Sequence, residues 1–518
     1  MDKRRSVLNV SVSILSRILL LISALYVRRL LIQYIGTDAN GLNSLYSSVI
    51  GMLAVAELGV GSAIVYSMYR PIIKGNWQQV AALYRLHRRV YRIIGAVIFG
   101  AGVLAMPFLP AIIGDYEALS VNVYGTFFLT LLSVALSYLY SAKTSLIEAY
   151  KDNYITTGIM TGSRLLRYAL QIAAILIWKS YTAYLVCQII ETLVIWSLTE
   201  LVVRRKHGDI LRTQGALDRE VRYEVVRNIK AMFMHKVGTI LVNSVDSMII
   251  SGFIGVAVLG KYSNYTLLAG VVAGTIGLFF SPLTAVVGHL CATGTPEQME
   301  AYFNRFYCLN YLLGFVFFLG FYAVADPLVA LCFGGEQVTS RAIAFIVTLN
   351  QFTSFMRRTD LLFRDASGSF YADRWKPVAE GVVNLLLSLL FVSVFPEEYR
   401  VVGVTVATII TTLTICDTVE PYIVFHRVFG KSPGRFYVRG YSYIALFFVC
   451  LLAMTWVVRP GGSQIVGVLK NGALSVFVSA LALGLLTALD KGFRRELLGL
   501  ISSGRYLLRR VLGLIAHG

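Results

Sequence analysis

Charge is scarce in this sequence. Only 14% of its 518 residues are Asp, Glu, Lys or Arg, against 57% that are hydrophobic. A soluble globule of that composition could not cover its core with polar surface. Acids are scarcer still, at 28 against 47 Lys and Arg. The six cysteines (Cys187, Cys291, Cys308, Cys332, Cys416 and Cys450) lie in or beside apolar runs with no CxxC spacing. That excludes a disulfide frame and a cysteine metal site. The six histidines show no ligand spacing, so neither a metal nor another cofactor is expected. Long polar segments are missing from one side of the chain, which leaves no room for an external catalytic domain, so an enzyme is not expected. The first apolar run has no convincing small-residue cleavage site and carries Arg17, so it reads as a retained helix.

What the chain has instead is apolar runs from end to end, with a mean hydropathy of +0.68. The spans read as 7–27, 44–69, 90–111, 121–141, 155–178, 181–203, 231–253, 262–290, 306–332, 341–356, 378–395, 401–425, 441–458 and 466–489. Most reach the roughly 20 residues that a bilayer requires. The expected fold is an all-α polytopic membrane protein with about fourteen transmembrane helices.

The formal net charge of +19 does not point to nucleic acid, because the cations are sorted by side. Most Lys and Arg fall in 1–6, 70–92, 142–154, 204–230, 291–305, 357–377, 426–440 and 490–518, the segments on the same side as the N-terminus. The opposite side holds only Arg28, Arg29, Lys179, Lys261, Arg341, Arg400, Arg459 and Lys470. Positive charge stays in the cytoplasm, so both termini are expected there.

Shifting the sequence by 219 residues aligns Gly36 with Gly255, Gly41 with Gly260, Gly51 with Gly270, Gly75 with Gly294 and Gly95 with Gly314. Five of the seven glycines between 36 and 95 find a partner in this register, where chance would give well under one. The offset contains an even number of spans, so the two halves run parallel and are related by an axis along the membrane normal. The expected organisation is an N-terminal six-helix lobe (1–203), a basic cytoplasmic linker (204–230) and a second, pseudo-symmetric six-helix lobe (231–440). Two extra helices (441–490) and an amphipathic tail on the inner membrane surface (491–518) follow. Two such lobes would leave a cleft between them for cargo.

Cations inside spans are the candidate site. An arginine at mid-bilayer costs about 2.5 kcal/mol or more, yet Arg17 lies deep in the first span. Arg28, eleven residues on, falls on the same helix face about 16 Å further along the axis. The repeat places Lys236 where Arg17 stands in the first lobe, and Arg164 and Arg167 sit one turn apart in the fifth span. Together Arg17, Arg28, Lys236, Arg164 and Arg167 suit a phosphate or pyrophosphate. Two plainer readings stand beside this one. Arg17 or Lys236 could snorkel to the interface, and Arg164 and Arg167 could pair with Glu148 or Glu191. Three acids also fall in apolar surroundings: Glu57, Asp246 and Asp417. Glu57 and Asp246 are candidates for H⁺ or Na⁺ coupling or for charge balance.

The segment "IGTDANGLNSLYSSVIGMLAVAELGVGSAIVYSMYRPI" resembles the second-span signature of bacterial O-antigen and capsular-polysaccharide repeat-unit flippases. "DSMIISGFIGVAVLGKYSNY", "SPLTAVVGHL" and "FRDASGSFYADRWKPVAEGVVNLLLS" are similar too. This oligosaccharide flippase family belongs to the multidrug/oligosaccharidyl-lipid/polysaccharide (MOP) exporter superfamily. The resemblance covers residues 9 to 425. Arg28 matches the family's first-helix arginine, Asp246 an acid in its seventh helix, and Arg364, Asp365, Gly368, Arg374, Pro377, Glu380 and Asn384 a later motif, whereas Arg17 matches no family position. The resemblance implies a flippase that moves an undecaprenyl-pyrophosphate-linked oligosaccharide across the bacterial inner membrane by alternating access, for surface polysaccharide biosynthesis. Polysaccharide polymerase and assembly proteins would be its partners. The alternative is a cation- or drug-extruding antiporter of the same superfamily.

Overall fold

A computed structural model describes residues 3–54, 60–114, 116–215, 217, 244–280, 283–373, 375–458 and 464–502. These residues are overwhelmingly helical and include no strand. Eight helices among them are long and apolar enough to cross a membrane. By internal contacts the chain divides into two compact units, residues 1–261 and 262–518.

In the first unit, α1 (Lys3–Tyr34) packs along α6 (Asn153–Trp178), and α6 along α7 (Tyr181–Arg212). A second run of contacts joins α4 (Trp77–Ala105), α5 (Val123–Ala149) and α7. The segment read as a single span over 44–69 consists of α2 (Thr37–Leu53) and α3 (Val60–Ile73), on either side of residues outside the described set.

The repeat is visible in the backbone. α1 ends at Gly36, whose N–H donates to the Leu31 carbonyl at 3.1 Å, with Ile35 donating to the same oxygen at 3.0 Å. Exactly one offset later, Gly255 and Ile254 both donate to the Ile250 carbonyl, at 3.0 and 3.1 Å. Gly36 has φ 122° and Gly255 φ 129°, a region that L side chains rarely adopt. Each glycine thus turns one helix into the next, α2 in the first case and α8 (Val256–Phe280) in the second. Gly41 and Gly260 are reciprocal as well. A Cβ on Gly41 would stand 2.0 Å from the Val256 carbonyl oxygen, and one on Gly260 would stand 2.6 Å from that of Thr37. Thr37 and Val256 are themselves one offset apart. The buried Asn40 side chain donates to the Gly260 carbonyl at 2.8 Å and fastens this crossing.

In the second unit the longest helix, α10 (Pro296–Phe333), follows α9 (Leu283–Thr293). A capping box starts it: Thr295 Oγ1 accepts from Gln298 N–H, and Gln298 Oε1 accepts from Thr295 N–H at 3.1 Å. α10 packs against α11 (Arg341–Met356) and against α17 (Gln464–Leu489). Asn310, fully buried on α10, donates to the Phe355 and Met356 carbonyls and satisfies the end of α11. Rings fill the space around it, including Phe352 and Phe447 stacked with centroids 3.6 Å apart. α12 (Arg358–Ala366), α13 (Lys376–Val394) and α14 (Arg400–Thr411) follow.

The run read as one span over 401–425 is helical throughout but not uniformly α. π-helical turns at Thr412–Cys416 and Phe425–Phe429 flank α15 (Asp417–Val424), which contains Pro421. Proline has no N–H for the carbonyl four residues back, and π-turns let the chain absorb such a break. α16 (Gly434–Val457) then precedes α17. Of the tail expected over 491–518, residues 491–502 are helical and 503–518 lie outside the described set. Phe493 anchors its start between Tyr311 and Tyr443, and the Tyr443 hydroxyl donates to Asp490 at 2.8 Å.

Candidate functional site

Of the seven residues singled out in the sequence, Lys236 and Glu57 lie outside the described set. Arg17 is exposed on α1, among the exposed Ile18, Leu19 and Ile22. Asp246 is half-buried in the helical residues 244–253.

Arg28, Arg164 and Arg167 fall within one packed group of helices. The contact of α1 with α6 puts Arg28 and Arg167 close to one residue of α7, Tyr184, whose hydroxyl lies in the field of both guanidiniums. Gln171 on α6 donates to the Tyr184 carbonyl at 3.3 Å. Two turns further along α7, Glu191 receives both α6 arginines: Arg167 Nη1 at 2.8 Å and Arg164 Nε at 3.6 Å. The ion-pair alternative is therefore present, with Glu191 as the partner. One carboxylate facing two guanidiniums still leaves a positive charge uncompensated within that trio. Glu191 is nearly buried, while the Arg164 side chain is 49% exposed and reaches outward. Arg167 also stacks over Tyr168 at 4.9 Å. The arrangement offers an anion a partly exposed guanidinium whose counter-charge is shared.

The second unit holds a larger charged core, which the sequence displayed only in part. Arg357, at the junction of α11 and α12, grips Glu420 of α15 with Nε at 3.1 Å and Nη2 at 2.6 Å. Lys376 donates to the same Glu420 carboxylate and lies 3.5 Å from Glu380, which Arg357 also reaches at 3.4 Å. Arg364 pairs with the buried Asp373 and with the exposed Asp365. Asn384 donates to Thr408 at 3.0 Å and ties α13 to α14. Of the motif residues, Arg364, Asp365, Glu380 and Asn384 are thus part of, or next to, one network. Arg374 lies outside the described set. Arg357, Asp360, Lys376 and Glu420 were not singled out, although "MRRTDLLFRD" and "TICDTVEP" contain most of the charge in their neighbourhood.

Among the described residues no cation forms an ion pair with Asp360, and Arg357 acts on it only through its field. Asp360 is 4% exposed and its Oδ1 is buried without a hydrogen bond. Burial, with Glu420 and Asp417 adding negative potential, pushes its carboxyl well above the usual range. Such a group binds its proton more tightly in the folded protein than in the unfolded one. Its stabilising contribution is therefore complete below the unfolded pKa of about 4 and is lost as pH rises through the folded value. Asp360→Asn, neutral at every pH, should flatten the fall in melting temperature between pH 5 and pH 9 in a choline chloride buffer. Parallel curves for the two proteins would refute this assignment.

Helices in this order and of these lengths make an all-helical fold that solved structures of membrane transporters share. Two solved structures carry the likeness. One is an inward-facing multidrug resistance MATE family transporter of the MOP superfamily, with a TM-score of 0.56 and 14% identity, covering 83% of this chain and 95% of its own. The other is the lipid II flippase MurJ in an inward closed conformation, with a TM-score of 0.58 and 12% identity, covering 90% of this chain and 98% of its own. No family model matches the chain, and no curated protein does either.

Proposed function

We propose that the protein is a flippase that carries a polyprenyl-pyrophosphate-linked oligosaccharide across the bacterial inner membrane for surface polysaccharide biosynthesis, without chemical conversion. Both termini would face the cytoplasm, and a polysaccharide polymerase would be among its partners. The observation that carries the reading is the pairing of Arg164 and Arg167 on the single carboxylate of Glu191. Cationic cargo would be repelled there, whereas a pyrophosphate could draw the half-exposed Arg164 away from its long contact with Glu191. Arg28 lies in the same group through Tyr184. The fold shared with a lipid II flippase supports the reading. The equally shared fold of a multidrug transporter keeps drug extrusion as the competing one.

Deleting the gene should abolish surface glycan and leave drug susceptibility unchanged. Restoring it with Arg164→Ala plus Arg167→Ala should leave translocation of the lipid-linked oligosaccharide lower by roughly tenfold or more, the worth of a lost charge-assisted contact. Wild-type translocation by that variant would remove the cations from the site. Altered drug susceptibility with intact glycan would favour extrusion instead.

A further inference from the structure

Gly95 of α4 and Gly314 of α10 are one repeat offset apart, which makes the two helices counterparts. On α10, Tyr307, Cys308, Tyr311, Phe315 and Leu319 are all 4% exposed or less. Helices beyond the repeat help to cover this face. Tyr443 of α16 stands over Tyr311 with ring centroids 4.5 Å apart, Phe447 meets Phe315 at 5.5 Å, and α17 packs along the same helix. The same register places Arg88, Arg89, Arg92, Ala96 and Gly100 on α4. There the first four are exposed, and a Cβ on Gly100 would meet nothing within 4 Å. We propose that this bare face of α4 is a binding site for an acidic phospholipid. The headgroup phosphate lies on Arg88, Arg89 and Arg92, and one acyl chain runs along the helix beyond them.

Charge selects the headgroup. Arg89 and Arg92 are three residues apart on one helix, so their side chains start about 5–6 Å from each other and can share a phosphate. Among the described residues no acid pairs with any of the three arginines. Glu200, which acts on the Tyr84 hydroxyl together with Arg88 and Arg92, is already taken by Lys143 and Arg204. Arg85, one turn before Arg89, is committed as well, because it donates to the Thr213 and Gly215 carbonyls at 2.7 and 2.6 Å. Three guanidiniums this close repel one another, and a phosphate relieves that repulsion with charge-assisted hydrogen bonds.

The helix selects the tail. The arginines belong to the basic segment 70–92, at the mouth of the span read as 90–111. Past Arg92 the exposed side chains of α4 are apolar: Ile93, Val97 and Leu104 are 57%, 53% and 75% exposed. Ala96 and Gly100, beside them, contribute almost no side chain, which leaves a shallow lane along the helix. A free phosphate or an acidic peptide would satisfy the arginines and leave that lane uncovered. A molecule with a negative head and a hydrocarbon tail matches both parts, as acidic lipids do at basic juxtamembrane segments. In the second unit protein side chains take its place, since α10 carries no cation at the corresponding positions.

The test uses the purified full-length protein in vesicles of phosphatidylcholine with a minor share of phosphatidylglycerol, either lipid carrying brominated chains. Val97→Trp puts a fluorescent reporter in the lane, read against the parent protein, and bromine quenches it only when that lipid lies alongside. Relative to its share of the bilayer, phosphatidylglycerol should be preferred over phosphatidylcholine by about tenfold, the worth of two or more engaged cations. Arg89→Gln plus Arg92→Gln should bring the preference near parity. Ile93→Trp, one turn nearer the arginines, should rank the lipids in the same order. Leu386→Trp, on the exposed face of α13, should report the same lipid mixture with or without those two substitutions. Equal occupancy by the two lipids, or a preference that survives the double substitution, would overturn the site. Quenching by neither lipid would mean that a second copy of the chain covers the face, and would overturn it too. None of these readouts depends on the cargo, so this proposal and the flippase reading can fail separately.

Discussion

Replacing Glu420 with glutamine should destabilise the protein by about 3–5 kcal/mol, the usual consequence of removing one partner from a buried ion pair. Glu420 is completely buried and receives both Arg357 and Lys376. Without its charge, two buried cations must share Glu380, which stands 3.4 Å from Arg357 and 3.5 Å from Lys376. The Lys376→Met change alone should cost less, because Glu420 keeps the two-pronged contact with Arg357. Combining Lys376→Met with Glu420→Gln should recover part of the loss, since one of the stranded cations is then gone. Thermal melting and the yield of monodisperse protein measure all three variants. A Glu420→Gln protein as stable as the parent would mean that the network is held elsewhere.

The reason this network was only half legible lies in how a membrane protein writes its charges. An acid in an unbroken apolar run stands out, as Asp417 did. Glu420 sits three residues further on, in the same helix, yet it reads as ordinary near a helix end where charge is expected. Arg357 and Lys376 lie in segments rich in Lys and Arg, where the positive-inside rule already accounts for every cation. Only the third dimension shows that these residues turn inward. The converse holds for Arg164 and Arg167. Their position in the fifth span was plain from sequence, but the choice between Glu148 and Glu191 required knowing which face of α7 meets α6. Arg17 attracted notice through its apolar neighbours, and the structure places it on an exposed face of α1. The helices themselves were the most legible feature, because hydrophobic length alone fixes them. The π-turns around α15 were not, because they come from hydrogen-bond strain near Pro421 rather than from any apolar period.

The glycines of the repeat give the second large effect, and here the structure ranks what the sequence left equal. Gly41→Ala should be the most damaging of the single alanine changes at the paired positions. Its Cβ would meet the Val256 carbonyl oxygen at 2.0 Å and the Val256 side chain at 2.7 Å. Backbone cannot rotate away as a side chain can, so α2 and the start of α8 would have to separate. Overpacking of this kind costs typically about 1–3 kcal/mol and sometimes more, and separation would also strain the Asn40 hydrogen bond to Gly260. Gly260→Ala meets the Thr37 carbonyl at 2.6 Å and should follow closely. Gly51→Ala, by contrast, finds nothing nearer than the Ser244 hydroxyl at 3.9 Å, and Gly270→Ala nothing within 4 Å. Both sit inside helices, where alanine is preferred over glycine by up to about 1 kcal/mol, so these two should leave stability unchanged or raise it. Gly36→Ala has open space but a φ of 122°, so its penalty would be conformational and should fall between the extremes. Melting temperatures of the five variants should therefore order as Gly51 and Gly270 above Gly36, with Gly260 and Gly41 lowest. A Gly41→Ala protein that melts with Gly51→Ala would mean that the close crossing of α2 with the first turn of α8 is not needed for stability.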